Sequence, residues 1–124
     1  MGKLVLIVDD SPTMLMSVRS TLEMKGFGVE AASDGELALA KLKGGLKPDL
    51  IITDVHMPKM SGLQFIKLLR ELPGFRFTPV LTLTTETDAS KRDEAKKLGA
   101  TGWLVKPTSG ADLLNVISRV LPGV

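Results

Sequence analysis

Five short apolar segments recur along the chain, and few polar residues interrupt them. A run of this length without alternating polar positions is typical of a strand that is buried on both faces of a parallel sheet. The sequence therefore predicts five β-strands, of which the second has the weakest pattern. The predicted strands are Leu4–Val8, Val29–Ala32, Leu50–Thr53, Val80–Leu83 and Trp103–Val105.

Between these runs, apolar residues return every three or four positions, which is the spacing of one face of a helix. The positions are Leu15, Val18 and Leu22; Ala38 and Leu42; Ile66 and Leu69; Ala95 and Leu98; and Leu114, Ile117 and Leu121. Ser11 before Pro12, and Ser109 three residues before Asp112, are typical of helix starts. Strand and helix thus alternate five times, which predicts an α/β fold with a parallel sheet and helices on both of its faces.

The composition favours a single globular domain. The chain has 124 residues, of which 44% are hydrophobic and 24% are charged, and these proportions are close to the globular average. Residues 1–124 are therefore expected to form one domain. The net charge is only +2, and the basic residues are scattered along the sequence, so we expect no nucleic-acid partner.

The sequence predicts neither an export signal nor a membrane anchor. The first apolar run is too short for a signal peptide and ends in two carboxylates, Asp9 and Asp10, instead of small residues. No stretch approaches the length of a membrane-spanning helix. The chain has no cysteine, which leaves no place for disulfides or thiol chemistry. We expect a cytoplasmic protein without a membrane partner.

Polar side chains follow most of the predicted strands. Asp9 and Asp10 follow the first strand, Asp54 the third, Thr84 the fourth and Lys106 the fifth. The carboxyl ends of parallel strands meet at one edge of the sheet, where α/β proteins bind ligands. Two carboxylates about 4 Å apart repel each other by roughly 4 kcal/mol at an effective dielectric constant near 20. Such a cluster needs a cation, and Mg²⁺ held by oxygen ligands and a phosphate is the simplest solution.

The same residues supply the parts of a phosphoryl-transfer site. A carboxylate can attack phosphorus to give an acyl phosphate, while a metal ion, a lysine and a hydroxyl neutralise the oxygens of the transferring group. Asp54, Lys106 and Thr84 provide those groups. Taken singly, each has a simpler explanation: a turn acid, a surface lysine and an ordinary strand residue. Their position in one ordered set favours the site.

The order of these residues, with the segment Asp54–Gly62 (DVHMPKMSG) and the pair Lys106-Pro107, resembles the receiver domain of bacterial two-component response regulators, of the CheY-like chemotaxis type. The resemblance covers essentially the whole chain. It implies a flavodoxin-like (βα)5 fold, a doubly wound parallel sheet of five strands in the order 2-1-3-4-5. It also implies a cis peptide bond between Lys106 and Pro107, and a signalling switch instead of an enzyme.

The resemblance implies a role for each acidic residue of the set. Asp54 matches the phosphoacceptor, and Asp10 and Asp54 match the carboxylates that bind Mg²⁺ directly. Asp9 matches the acid that holds a metal-bound water. The backbone carbonyl of His56 matches the remaining protein ligand of the metal, and the His56 side chain is expected at the mouth of the pocket.

Thr84 and Lys106 match the residues that bind the phosphoryl oxygens. The resemblance further implies that Thr84 forms a switch with the aromatic residue three positions before the lysine. This chain departs from the family there, because Trp103 replaces the usual Tyr or Phe. A second departure is Thr108, which stands where Phe is common after Lys-Pro. We expect a bulkier switch residue and less packing below the loop.

The resemblance also implies the partners of the chain. A histidine kinase, CheA-like in a chemotaxis system, would phosphorylate a monomer that then binds the flagellar motor switch protein, with a phosphatase to reset it. An alternative is a receiver that passes its phosphoryl group to a histidine phosphotransfer protein or acts as a phosphate sink. A magnesium-dependent phosphatase of the haloacid dehalogenase type is disfavoured, because that class needs a second Asp where this chain has His56.

Overall fold

The computed structural model describes residues 2–121, in which five strands alternate with five helices. The strands are β1 (Leu4–Val8), β2 (Gly28–Ala32), β3 (Leu50–Thr53), β4 (Val80–Thr84) and β5 (Gly102–Val105). The helices are α1 (Pro12–Glu23), α2 (Gly35–Lys43), α3 (Gly62–Glu71), α4 (Ala89–Leu98) and α5 (Gly110–Val120). Within this part of the chain, no helix has the length and apolar character needed to cross a membrane.

The five strands form one parallel sheet in the order β2-β1-β3-β4-β5. This confirms the predicted flavodoxin-like fold, including the strand order. The chain first adds β2 on one side of β1 and then continues on the other side with β3, so the order reverses at β1. Val8 at the end of β1 is paired with Thr53 at the end of β3. The residues that follow these two strands therefore face the same crevice.

Two apolar cores lie on opposite faces of the sheet. Val5 and Ile7 of β1 belong to one core, and Leu6 and Val8 belong to the other, because successive side chains of a strand point to opposite faces. Helices α1 and α5 cover the first face with Val18, Leu22, Leu113 and Ile117. Helices α2 and α3 cover the second face with Ala38, Leu39, Leu42, Phe65, Ile66 and Leu69. The central strands β1, β3 and β4 are buried on both sides, as their continuous apolar runs predicted, whereas the edge strands β2 and β5 are only partly buried.

The predicted helix starts are confirmed. The Ser11 hydroxyl accepts a hydrogen bond from the Met14 backbone N–H, and Pro12 is the first residue of α1. The Ser109 hydroxyl accepts one from the Asp112 backbone N–H at the start of α5. These caps fix where each helix leaves the sheet edge, and thus the length of the loops that carry the polar residues.

Helix α4 is the least anchored of the five. Ala95 is its only buried residue, whereas α3, of the same length, buries five residues. Arg70 at the end of α3 stabilises this region instead. Its guanidinium donates hydrogen bonds to the carbonyl oxygens of Phe75 and Thr78, both at 2.7 Å, and of Gly99 at 2.6 Å. One side chain thereby joins the loops that precede β4 and β5.

Candidate functional site

Four of the predicted site residues meet at the carboxyl edge of the sheet. The Lys106 ammonium, which follows β5, donates hydrogen bonds to Asp9 Oδ2 at 2.8 Å and to Asp54 Oδ2 at 3.0 Å. Both acids are buried, with 7% and 9% of their surface exposed, and Thr84 is fully buried. Lys106 and Pro107 are joined by a cis peptide bond, as the resemblance implied. Asp10 lies beside this group but is exposed.

Asp54 is held in place by hydrogen bonds to both of its carboxylate oxygens. Oδ1 accepts from the backbone N–H groups of Val55 at 2.6 Å and His56 at 3.3 Å, and Oδ2 accepts from Lys106. Asp9 is fixed similarly, because its Oδ1 accepts from the Ser11 backbone N–H at 2.9 Å. Both carboxylates therefore have defined orientations before any ligand arrives.

The charges of Asp54 and Lys106 stabilise one another. Burial raises the pKa of Asp54, but the Thr84 hydroxyl, the Lys106 ammonium and the His56 backbone N–H outweigh it and hold the pKa below its usual value. Burial lowers the pKa of Lys106, but Asp9 and Asp54 outweigh it and raise the pKa. Asp54 is therefore an anion, and Lys106 a cation, at neutral pH.

The acidic cluster has the donor set of a magnesium site. One oxygen from each of Asp9, Asp10 and Asp54 lies within 4.8 Å of the others. All three ligands are hard carboxylate oxygens, which suit Mg²⁺, and Lys106 supplies a single positive charge against three negative ones. The donor chemistry of the residues present thus fits the ion that the sequence predicted.

His56 and Glu86 connect the two loops at the mouth of the pocket. The exposed His56 side chain places Nε2 2.8 Å from Glu86 Oε1. Glu86 Oε2 accepts hydrogen bonds from the backbone N–H groups of Thr87 and Asp88, and the Glu86 N–H donates to the Thr84 hydroxyl at 3.2 Å. The His56 side chain thus lies at the mouth of the pocket, as expected from the sequence, whereas the role of Glu86 was not predicted. Its position two residues after Thr84 was the only available signal.

A glycine is required at position 62, because the start of α3 lies very close to the backbone of Asp54 and Val55. Its N–H donates to the Val55 carbonyl at 2.7 Å, so the first residue of α3 lies directly against the backbone of the phosphoacceptor candidate. A Cβ at Gly62 would lie 2.8 Å from Val55 Cα and closer still to the Asp54 carbonyl oxygen. No other residue fits this contact without moving the strand or the helix.

Trp103 and Thr108, the two residues that depart from the family pattern, differ in how tightly they are packed. Trp103 is half-buried and packs on a small cluster formed by Val55, Leu63 and Ala95, which links β5 to the loop after Asp54 and to α4. Thr108 lines a cavity of about 50 Å³ between α1 and the start of α5, together with Met14. This cavity adjoins the loop that carries Lys106, where the sequence predicted less packing.

The ion pairs make the stability of the fold depend on pH. Because the folded-state pKa of Asp54 is lowered, its contribution is present above the unfolded-state value of about 3.9 and is lost as the pH falls through the folded-state value. In Lys106→Met, the ammonium that lowers the pKa of Asp54 is removed, so the effect of burial is opposed less and this pKa rises. We expect this variant to be less stable than the wild type at neutral pH, with the difference shrinking as the pH falls below about 4.

Urea unfolding across the acid range measures this difference. The exposed Lys67→Met serves as the control, because Lys67 has no ion pair within the described residues. A difference between wild type and Lys106→Met that stays constant with pH would mean that lost packing, not charge, causes the destabilisation.

The fold and the site together define a class of signalling domain. The chain belongs to the response regulator receiver domain family, whose model matches residues 5–118. It is therefore a receiver domain of two-component signalling, a switch and not a classical enzyme, as the sequence resemblance implied.

Relatives within this family include chemotaxis proteins. The chain is 36% identical over 117 residues to chemotaxis protein CheY-3 of Vibrio cholerae, covering 94% of this chain and 89% of that protein. A solved structure of the chemotaxis protein CheY4 of Vibrio cholerae is 47% identical to this chain. The match covers 98% of this chain and 100% of that chain, with a TM-score of 0.93.

Another relative is a longer regulator. The chain is 35% identical over 121 residues to the alkaline phosphatase synthesis transcriptional regulatory protein PhoP of Bacillus subtilis (strain 168). The match covers 98% of this chain but 49% of PhoP, so the chain spans about half the length of that relative.

Proposed function

We propose that Asp54 accepts a phosphoryl group from a histidine kinase in the presence of Mg²⁺, and that the phosphorylated domain binds a partner. The observation that carries this proposal is the Lys106 ammonium, which bridges the buried carboxylates of Asp9 and Asp54 beside three oxygen ligands within 4.8 Å of one another. In this proposal, residues 1–124 form a single receiver domain.

In this mechanism an oxygen of Asp54 attacks phosphorus, and the bond from phosphorus to the kinase histidine breaks. Asp54 is ready for this step because its lowered pKa keeps it ionised. The backbone N–H groups of Val55 and His56 hold its orientation, which reduces the entropy lost on reaching the transition state. Mg²⁺, when bound, neutralises charge on the phosphoryl oxygens.

Lys106 and Thr84 provide the remaining stabilisation of charge. The ammonium already lies 3.0 Å from Asp54 Oδ2, so a small movement brings it to a phosphoryl oxygen. The Thr84 hydroxyl comes from the neighbouring strand and can donate to another oxygen. Asp10, Asp54 and the His56 carbonyl would hold the metal directly, and Asp9 would hold it through a water.

The test is mass spectrometry of the full chain after incubation with Mg²⁺ and a small acyl phosphate. We expect the mass of one added phosphoryl group, located on the peptide that contains Asp54, and no addition when a chelator removes the metal. Labelling that persists without divalent metal, or that falls on another peptide, would contradict the proposal.

The similarity to CheY-3 and CheY4 favours a chemotaxis partner. The proposed kinase is CheA-like, and the proposed partner is the flagellar motor switch protein. A pull-down with a motor-switch peptide should retain more phosphorylated than unmodified protein. Retention by a histidine phosphotransfer domain, with none by the peptide, would favour the alternative role as a phosphorelay or phosphate-sink receiver.

Phosphorylation should move Trp103, the only tryptophan in the chain. Thr84 is drawn toward the phosphoryl oxygen, which opens space for the indole ring to turn, and indole fluorescence reports this movement directly. We expect Thr84→Ala to be phosphorylated on Asp54 but to lose the fluorescence change. Thr87→Ala, which removes an exposed hydroxyl from the loop after β4, is the control. An unchanged signal in the wild type, while partner affinity rises, would show that Trp103 is not part of the switch.

A further inference from the structure

Helix α4 is held unevenly along its length. Residues 89–94, in its first half, are exposed except for Lys91, which is half-buried. In the second half, Ala95 is 1% exposed and packs with the half-buried Leu98 in one apolar cluster. A segment with few buried apolar contacts opens at a lower free-energy cost than a well-packed one. The N-terminal half of α4 is therefore the easier half to move.

The C-terminal end of α4 lies on the Arg70 side chain of α3. The Arg70 guanidinium donates a hydrogen bond to the Gly99 carbonyl at 2.6 Å, at the end of the helix that carries partial negative charge. Gly99 ends the helix in the left-handed conformation, with φ 107°. A Cβ at this position would lie 2.8 Å from Arg70 Nε, so the backbone turn packs directly on the guanidinium. The last turn of α4 is thus fixed to the end of α3.

Arg70 is itself held firmly. Its other two hydrogen bonds go to the carbonyl oxygens of Phe75 and Thr78, in the loop before β4, both at 2.7 Å. Arg70 takes part in none of the ion pairs formed among residues 2–121, so these three carbonyls are its acceptors. A half-buried charge that loses its acceptors is costly. The guanidinium and the three carbonyls therefore hold one another in a single arrangement.

The N-terminal end of α4 depends on the candidate phosphorylation site instead. The Glu86 carboxylate accepts hydrogen bonds from the backbone N–H groups of Thr87 and Asp88, which lead into the helix. The Glu86 N–H donates to the Thr84 hydroxyl at 3.2 Å, and Thr84 is one of the residues proposed to bind the phosphoryl group. A movement of Thr84 is therefore transmitted to the start of α4 through Glu86.

We propose that Arg70 is the pivot of α4: it keeps the C-terminal end of the helix in place while the N-terminal half moves when a phosphoryl group draws Thr84. The cause of this movement rests on the proposed function of Asp54, but the anchor at Arg70 exists in the unmodified chain. Because one end is fixed and the other is connected to Thr84, the helix turns about Gly99 instead of shifting as a whole. A partner that reads phosphorylation through α4 would then contact residues 89–94.

Amide hydrogen exchange of the unmodified full chain tests the anchor. Arg70→Met keeps the apolar stem of the side chain but removes all three hydrogen bonds. Since hydrogen bonds to charged groups are among the stronger ones, exchange in residues 95–100 should become about tenfold faster or more. Arg92→Met is the control, because Arg92 is exposed on α4 itself and the two residue types have similar helix propensities. It should leave exchange in residues 95–100 unchanged.

Beryllium fluoride with Mg²⁺, a mimic of the phosphoryl group, tests the pivot. In the wild type, the mimic should change exchange in residues 85–91 and leave residues 96–100 as they are. In Arg70→Met, the change should extend to residues 96–100, which a purely stabilising role of Arg70 does not predict. Equal changes at both ends of α4 in the wild type, or the same pattern in wild type and variant, would overturn the proposal.

Two measurements separate this proposal from its alternatives. Exchange in β1 and β3 should stay unchanged in Arg70→Met; if the whole chain opens, Arg70→Lys, which keeps the charge but not the planar fork, should show a smaller acceleration confined to residues 95–100. Mass spectrometry with a small acyl phosphate reports on Asp54. A chain that takes up no phosphoryl group contradicts the proposed function, whereas labelled Arg70→Met with wild-type exchange in residues 95–100 contradicts the pivot alone.

Discussion

Asp54→Asn should lose all magnesium-dependent phosphorylation, whether the donor is the kinase or a small acyl phosphate. The amide is nearly isosteric with the carboxylate and can keep the hydrogen bonds from Val55 and His56 to its oxygen. It carries no negative charge and is a poor nucleophile at phosphorus. Loss of labelling therefore tests the chemistry of the side chain with little change of its shape.

Asp34→Asn is the matched control for this substitution. Asp34 is also buried at the carboxyl edge, but its Oδ1 caps α2 by accepting from the Leu37 backbone N–H at 2.8 Å, a role that Asn can take over. Phosphorylation of this variant should be close to that of the wild type. Undiminished labelling of Asp54→Asn on the same peptide would show that another residue is the phosphoacceptor.

Gly62→Ala should both destabilise the fold and impair phosphorylation. The added methyl group would meet Val55 Cα at 2.8 Å and the Asp54 carbonyl oxygen at a still shorter distance, so the backbone of Asp54 or the start of α3 must move. Overpacking of this kind costs typically 1–3 kcal/mol, and contact with rigid backbone on both sides favours the upper part of that range. Urea unfolding gives the free energy, and the labelling rate at Asp54 gives the functional effect.

Gly28→Ala is the control for that prediction. A Cβ at Gly28 meets the end of the Leu4 side chain at an ordinary 3.5 Å, so the same chemical change should have little effect there. Equal unfolding midpoints and labelling rates for the two variants would mean that α3 moves freely relative to β3, contrary to the contact described above.

The fold was predictable because its pattern is local. Each strand carries a short, nearly continuous apolar run, so all five were located within one residue at each end. Three bounds differ: β2 and β5 begin one residue earlier, at Gly28 and Gly102, and β4 ends one residue later, so that Thr84 is its last residue instead of following it. Hydrogen bonding in the sheet does not depend on an apolar side chain, so these bounds do not follow the apolar pattern. The helix caps were equally local, since Ser11 and Ser109 act within three residues of themselves.

The site was only partly predictable, because several of its contacts depend on the tertiary structure. The ordered acids and Lys106 could be recognised as a set. The contact of Glu86 with His56 spans 30 residues, and that of Arg70 with Gly99 spans 29, so no sequence spacing indicates either. The need for glycine at position 62 likewise comes from the approach of helix and strand backbones, which the sequence cannot show.

Because of the Lys106 ion pairs, the site is complete only when the chain is fully folded. Lys106 is 97 residues from Asp9 and 52 from Asp54, so closing these contacts requires the ordering of almost the whole chain. Any partly folded species in which β5 is detached has three neighbouring carboxylates without their lysine. Such a species lacks the cation that stabilises the site, so under the proposed function we expect it not to accept a phosphoryl group.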